Sequence, residues 1–594
     1  MLPDKRSSIT VVCSLVSTLR HYNALSRLYK TTMVNSILTP GILRVFHNHP
    51  SVKENDLLEL DNYNKSQQKA IVISTKIALE PVQQNRVVLI QGPPGTGKSY
   101  TIIGIIKNII KKSNRTCHIC LCAPSNAAVD ELMKRLIDER RKMEEKSKHS
   151  GFRLVRIGKP ENIHHDVQKY TYREIVKVNQ AEELKNKIKR QVNTSVVKEI
   201  DKLKTRISSL HEELTNKTIN LQTIEAGKIR SEISKLEKKK DDMEVSIQAQ
   251  YKDIKLTRQE EQKVMRDVLI KSHIVCGTLN SFGNDFYADI LAPYSQNIRR
   301  SMFNCVIVDE ASQATELDTL IPLQYGTTKL IMVGDPEQLP PTVLSQKSAQ
   351  KSFGQSLFER FYCHFRHEDV NPVLFLDTQY RMHPEIAHFP SKFVYLGALK
   401  TDSSVEERCN IFQLKPYLLF DMQEGQEHST QRGAIINSTE AEFTIELCEF
   451  LMSRTKLQQH QIGIIAPYQQ QKKIIKEGLE SMKLISIEVN TVDSFQGREK
   501  EVIILSCTRA KNVSGGIGFL ANSKRMNVAL TRAKTALYVV GCLSSLKRGD
   551  LAWRNLIEDA ERRNVIRKIT QGRYDMVFNG CLNISARLGR LFVS

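Results

Sequence analysis

The sequence has no uncharged apolar run of about 18 residues, so no membrane-spanning helix is expected. Its first segment, MLPDKRSSITVVCSLVSTLR, holds a short apolar patch but no small-residue cleavage site, and reads as a helix rather than a signal peptide. Twelve cysteines in 594 residues are ordinary usage, not a disulfide framework. Cys117, Cys120 and Cys122 form one tight cluster in the apolar segment TCHICLCAP, and no second cysteine pair follows at zinc spacing. Buried strand thiols are expected there, with a metal as the lesser alternative. These absences point to a reducing, intracellular compartment. There is also no internal repeat and no low-complexity linker.

What is present begins with charge. Lys and Arg number 87 against 65 Asp and Glu, for a net +22 and a pI near 9.4. A balance this basic suits a nucleic-acid partner or an anionic surface; a merely basic protein is the bland alternative. Hydrophobic residues make up 40% of the chain, which sustains a sizeable core and excludes global disorder.

Along the chain, Leu15, Leu19, Tyr22, Leu25 and Leu28 recur at helical spacing until Pro40-Gly41. VVLI and HICLCAP are buried-strand candidates, each followed by a helix. Such strand–turn–helix units in series imply parallel sheets covered by helices. Residues 171–270 differ, with 39 charged side chains, no proline and one glycine. Ile200, Leu203, Ile207, Leu210 and Leu214 step by 3 and 4, as do Ile229, Ile233 and Leu236. That spacing predicts an antiparallel helical hairpin with a coiled-coil seam, inserted between α/β segments. Lys238-Lys239-Lys240 reads as a solvated face, with a nucleic-acid contact or localisation signal as the minority reading. From 272 the strand–helix alternation resumes, and two similar α/β domains joined near 345–375 fit the order.

The chemistry starts at Gly92-Pro-Pro-Gly95-Thr96-Gly97-Lys98-Ser99, which matches G-x-x-x-x-G-K-[ST] between a strand and a helix. Its glycines let backbone N–H groups wrap phosphates at a helix N-terminus. Lys98 reaches the β and γ phosphates and Ser99 ligates Mg²⁺, so ATP or GTP binding is expected. Asp309-Glu310 ends the apolar strand VIV. Asp309 would hold Mg²⁺ and Glu310 would accept a proton from the attacking water. Gln338 follows the strand LIMV and would read the γ-phosphate. Arg381 and Arg532 come from the second half, where arginines can neutralise transition-state charge. Gln67 can pair with adenine N6 and N7, which favours ATP. Tyr380 can stack on the base. Ser125, Asn126, Thr278 and Thr491 sit at strand ends and suit a sugar–phosphate backbone. Taken singly, Gln67 and Tyr380 read rather as a helix start and a core aromatic, and the strand-end groups as caps and turns.

Together, GPPGTGKS, APSNAAVDE, VIVDEAS, VGDPEQLPPT, QYRMHP, VDSFQGRE and NVALTRAK resemble the ordered motif set of superfamily 1 helicases. The long charged hairpin, FPSKFVY and GFLANSKRMNVALTRAK are most similar to the senataxin-like RNA/DNA helicases, relatives of the nonsense-mediated-decay helicase. The resemblance implies an α/β fold of two RecA-like P-loop domains with parallel sheets, ATP and Mg²⁺ between them, and single-stranded RNA or DNA across both. It implies 5′→3′ movement, action on RNA–DNA hybrids, a nuclear location and the transcription-termination machinery as a partner. It places Lys98, Ser99, Asp309, Glu310, Gln338, Arg381 and Arg532 at the ATPase centre, with Gly497 and Glu499 completing the nucleotide side.

The expected layout is a helical stalk remnant over 1–45, a first domain over 46–345 carrying the hairpin at 165–270, a second domain over 346–560 and a basic tail over 561–594. A monomer with no membrane contact is expected. The family's accessory β-barrel has no counterpart in this sequence, whose residues 10–45 resemble only a second stalk helix; a fragment or short isoform is one reading. The alternative function is an ATP-gated RNA-binding clamp that does not unwind. No Cys/His-rich zinc module appears, which separates the chain from the decay factor itself.

Overall fold

In the computed structural model the described residues are 14–583, apart from 42–44, 48, 82–83, 115, 147–150, 192–193, 220–222, 254, 296–300, 369–370, 430–433, 511–515 and 570–573. They fall into two compact units, Met1–Phe152 with Cys276–Ser594, and Arg153–Val275.

The larger unit is built on two parallel sheets. In the first, strands Ile119–Ala123, Cys305–Val308, Lys329–Gly334, Arg86–Gln91 and Leu374–Phe375 lie side by side in that order. Every residue of Arg86–Gln91 and of Lys329–Gly334 is buried, which is why these segments read as continuous apolar runs without alternation. Cys117, Cys120 and Cys122 are buried thiols of this sheet region, and burial pushes Cys120 up. The helix Lys98–Lys112 turns Ile102, Ile105, Ile106 and Ile109 fully inward. At the same sheet, the helix Lys65–Leu79 starts at Asn64, whose side chain accepts from Gln67 N.

The second sheet holds Glu488–Asn490, Ile462–Ile465, Lys500–Ser506, Ala533–Gly541, Tyr417–Asp421 and Ile566–Lys568, all parallel. Its two faces carry separate cores. One is built around Phe495, Leu537 and Trp553, the other around Phe420, Phe443 and Tyr538. Trp553 is fully buried and its indole N–H donates to Leu520 O at 2.9 Å.

Two strands lie outside the spans expected for the domains whose sheets they join. The chain returns to the first sheet at Leu374–Phe375, past the boundary expected at 345/346. A two-residue strand is too short for its periodicity to say which sheet it joins. Likewise, Ile566–Lys568 pairs with Tyr417–Asp421, and Phe578 and Cys581 are buried in the second core. The expected tail therefore continues the second domain. Its half-exposed edge strand keeps Arg567 and Lys568 in the sequence and so reads as merely basic. Residues 584–594 lie outside the described residues.

The N-terminal helix Val16–Arg27 sits on the first domain through buried Ala24, the contact of Arg20 with Asn280 and the His21–Asp318 pair at 2.7 Å. Leu15, Leu19, Tyr22 and Leu25 are exposed.

The smaller unit contains the strand Leu154–Arg156 and helices Tyr172–Gln191, Thr194–Ile219, Thr223–Asp253 and Arg258–Ile270. Ile207, Leu210, Ile229 and Ile233 form a buried cluster between the two middle helices. The ion pairs Lys239–Glu199 at 3.0 Å and Arg206–Glu232 at 3.4 Å run antiparallel across them. The outer helices join through Tyr172 OH, which donates to Met265 O, and through Lys187–Glu260 at 2.7 Å. The unit spans Arg153–Val275, beyond the expected 165–270, because the strand Leu154–Arg156 also falls in it. Among the described residues no helix is long and apolar enough to cross a membrane.

Candidate active site

The P-loop connects the strand Arg86–Gln91 to the helix Lys98–Lys112, and two of its glycines take backbone angles that favour glycine. Gly95 has φ +78° and Gly97 φ +76°. Each also has no room for a side chain. A Cβ on Gly95 would stand 2.6 Å from Arg381 Cβ, and one on Gly97 would stand 2.8 Å from Gln67 Nε2. Thr96 is buried and donates to Pro93 O at 2.8 Å. Lys98 Nζ donates to Gly92 O at 3.0 Å and lies 3.9 Å from Glu310 Oε1. The ammonium is thus held over the loop, between a carbonyl and an acid.

Asp309 and Glu310 follow the strand Cys305–Val308. Burial, and then the neighbouring Glu310 carboxylate, push Asp309 up to about 7, while Lys98 pulls the other way. Glu310 sits at φ +48°, and its backbone N–H donates to Asp309 Oδ1 at 2.9 Å. Gln313 Nε2 donates to Glu310 Oε2 at 2.8 Å, which orients this acid. The bend turns consecutive carboxylates to different tasks, one buried beside the loop and one half-open.

The second domain supplies two arginines. Arg381 Nε donates to Glu499 Oε2 at 2.6 Å and its Nη1 to Thr531 O at 3.2 Å. Burial works to raise Glu499, but Arg381 and Lys534 outweigh it and hold it below the usual carboxylate range. Arg532 is 2% exposed. Its hydrogen bonds go to Val528 O at 2.9 Å, Thr531 Oγ1 at 3.0 Å and Arg498 O at 3.4 Å, none of them a carboxylate. Burial, and then Arg381, pull its guanidinium down to about 9, so it remains a cation at neutral pH. A buried cation held only by neutral acceptors is prepared for an anion.

These groups line one cleft of about 920 Å³, whose wall includes Gly95, Thr96, Gly97, Lys98, Ser99, Asp309, Glu310, Gln338, Tyr380, Arg381, Gly497, Glu499 and Arg532. Ser125 reaches this wall as well. Gly92 lies behind Lys98, where an added Cβ would meet the lysine side chain. Gln67 is 2% exposed and both ends of its amide are taken, Oε1 by Asn64 N at 3.2 Å and Nε2 by Thr96 O at 3.0 Å. In this arrangement it braces the P-loop from beneath. The hydroxyl of Tyr380 accepts from Asn64 Nδ2 at 2.9 Å, and its backbone N–H donates to Gly95 O at 2.8 Å.

The four expected nucleic-acid contacts occupy strand ends. Ser125 Oγ accepts from Ala128 N at the start of the helix Asn126–Lys146. Thr278 caps the next turn by accepting from Ser281 N at 3.2 Å. Thr491 Oγ1 lies 3.2 Å from Ser494 Oγ. The hydroxyls of Ser125 and Thr278 thus serve as caps here, whatever else they contact.

Several cleft groups escaped the motif reading. Arg408 Nη2 donates to Tyr380 O at 3.0 Å and Arg381 O at 2.9 Å, and no sequence signal marks that arginine. Lys534 and Arg498 lie inside the quoted motifs NVALTRAK and VDSFQGRE, beside Arg532 and Gly497, but were given no role there.

Two AAA-domain family models match residues 62–346 and 353–544. Human "Probable helicase senataxin" is 34% identical over 95% of this chain and 22% of that protein. Helicase SEN1 of Saccharomyces cerevisiae is 36% identical over 86% of this chain and 24% of its own. "Probable helicase MAGATAMA 3" of Arabidopsis thaliana is 32% identical over 96% of this chain and 69% of its own. The chain thus spans about a fifth of the length of senataxin.

Proposed function

The chain belongs to the senataxin-like superfamily 1 helicases, and from that membership we propose that it hydrolyses ATP to move along single-stranded nucleic acid. The observation that carries the proposal is the joint cleft: Lys98, Asp309, Glu310 and Gln338 from one domain face Arg381 and Arg532 from the other. Hydrolysis that requires both halves can be coupled to their approach and separation.

Lys98 and the P-loop amides bind and orient the triphosphate. Glu310, fixed by Gln313, accepts the proton of the attacking water. Arg381 and Arg532 stabilise charge on the transferring phosphoryl group. Asp309 and Ser99 form an oxygen donor set of the kind Mg²⁺ prefers, and the buried Asp309 carboxylate gains from a cation beside it. When bound, Mg²⁺ would neutralise phosphate charge.

In the finer reading the substrate is RNA, DNA or an RNA–DNA hybrid, movement runs 5′→3′, and the work is nuclear, at transcription termination. The net charge of +22 supports the nucleic-acid part. Kinship with senataxin and SEN1 supports the helicase part and a nuclear location, and direction and pathway are what the motif resemblance implies.

The test is steady-state ATPase activity of the 594-residue chain with and without single-stranded RNA, beside Glu310→Gln. RNA-stimulated turnover that disappears in the variant is expected. Normal turnover by Glu310→Gln refutes the assignment. Nucleotide binding without RNA stimulation moves the clamp reading ahead.

A further inference from the structure

Tyr395 belongs to none of the nucleotide-binding motifs. It follows a wide π-helical turn, Pro390–Val394, and its backbone N–H donates to Pro390 O at 3.1 Å. Its ring is 4% exposed. Its hydroxyl crosses from the second domain to the first and donates to Asp335 Oδ2 at 2.7 Å. The same carboxylate oxygen accepts from Gln338 Nε2, also at 2.7 Å. Asp335 has no exposed surface, and its other oxygen accepts from Glu337 N at 3.2 Å.

The phenol is also an acceptor, from Asn527 Nδ2 at 2.9 Å, and that amide nitrogen donates to Glu337 O at the same distance. Asn527 O in turn accepts from Thr531 Oγ1 at 2.8 Å. Thr531 holds both arginines, Arg532 through its hydroxyl and Arg381 through its carbonyl. An unbroken chain of hydrogen bonds therefore joins Gln338 to the two arginines without passing through the nucleotide site.

Gln338 faces a conflict. Swinging its amide toward a γ-phosphate takes it away from Asp335. Glu337 N and a long contact from Gln91 Nε2 at 3.5 Å stay on Oδ1, but leaving the buried Oδ2 without a donor is costly, and the cost would hold Gln338 back. We propose that Tyr395 is the positioning residue that releases Gln338 to the γ-phosphate: it keeps Asp335 hydrogen-bonded from the second domain and transmits the exchange through Asn527 to the turn carrying Arg381 and Arg532. The inference rests on the ATPase reading above. It makes γ-phosphate recognition conditional on the second domain being in place. Burial raises both Asp335 and Tyr395, which keeps the phenol a proton donor at neutral pH.

Tyr395→Phe keeps the ring and removes only the hydroxyl. Affinity for ADP, for a non-hydrolysable ATP analogue, and kcat are measured in the full chain, alone and combined with Gln338→Ala. The expected result is unchanged ADP affinity, with analogue affinity and kcat reduced about tenfold, the scale of one buried hydrogen bond. In the Gln338→Ala background Tyr395→Phe then has no further effect. Equal losses in both backgrounds, or equal losses of ADP and analogue binding, overturn the proposal. Asn527→Ala, which removes the donor to the phenol, gives the same comparison if Tyr395→Phe melts early. Wild-type chain without turnover would sink the ATPase reading, while the ADP-versus-analogue binding comparison would still decide the role of Tyr395.

Discussion

Removing the Arg532 guanidinium separates catalysis from stability. In the fold this side chain is 2% exposed and makes three hydrogen bonds, to Val528 O, Arg498 O and Thr531 Oγ1. Val528 O also accepts from Thr531 N and Thr531 Oγ1, so Arg532→Ala does not orphan it. The stability cost is then about 1–2 kcal/mol, near the lower end for a lost buried partner. Catalytic cost is larger, because the guanidinium is preorganised and already desolvated. Losing such a finger costs about 10³–10⁵ in rate, or roughly 4–7 kcal/mol. Arg532→Lys keeps one charge but cannot reproduce the fork, and about 10²-fold loss is expected, the scale of one removed oxyanion donor. Arg381 differs, since Glu499 already balances its charge. ATPase assays at saturating ATP and RNA, beside thermal melting, read both quantities. If Arg532→Ala keeps more than about a tenth of kcat while melting normally, the guanidinium does not reach the phosphoryl group and the finger argument fails.

Gly95→Ala places a Cβ at φ +78° and 2.6 Å from Arg381 Cβ, so Arg381 must retreat. ATP turnover is expected to fall by at least about tenfold while the fold survives, since left-handed backbone costs only about 1–2 kcal/mol; unchanged turnover would mean the two domains do not need this approach. Far from the cleft, Glu440 is fully buried, with Oε1 accepting from Ser506 Oγ at 2.6 Å and Thr508 N at 2.7 Å. Burial raises it from 4.5 to about 8, so the folded state keeps a proton that the unfolded chain releases. Stability from this group is full below pH ~4.5 and declines as pH rises toward about 8, by an amount on the order of a few kcal/mol. Glu440→Gln should flatten that decline in melting curves taken between pH 5 and 8, and parallel curves for variant and wild type would refute it.

Much of the site was legible because its chemistry is local. A P-loop needs its glycines, lysine and serine within eight consecutive residues, between a strand and a helix, and the chain supplies all of them at Gly92–Ser99. Asp309-Glu310 and Gln338 are likewise strand-end residues whose position follows from the apolar run before them. Parallel sheets were readable for the same reason, since strands buried on both faces are apolar throughout.

What the sequence left open depends on partners brought together from far along the chain. Gln67 suits an adenine edge by residue type, yet the fold spends both ends of its amide on Asn64 and Thr96. Ile566–Lys568 reads as basic tail, and only the vacant edge beside Tyr417–Asp421 makes it a strand. Tyr395 and Asp335 lie in the quoted segments FPSKFVY and VGDPEQLPPT, yet neither segment shows that they meet, because their importance is one hydrogen bond spanning 60 residues of sequence. Local patterns determine which groups can bind a phosphate and where strands and helices form. Which of those groups meet, which are buried, and which hydrogen bond ties one domain to the other is decided by tertiary packing, because desolvation and hydrogen-bond geometry exist only once distant segments touch.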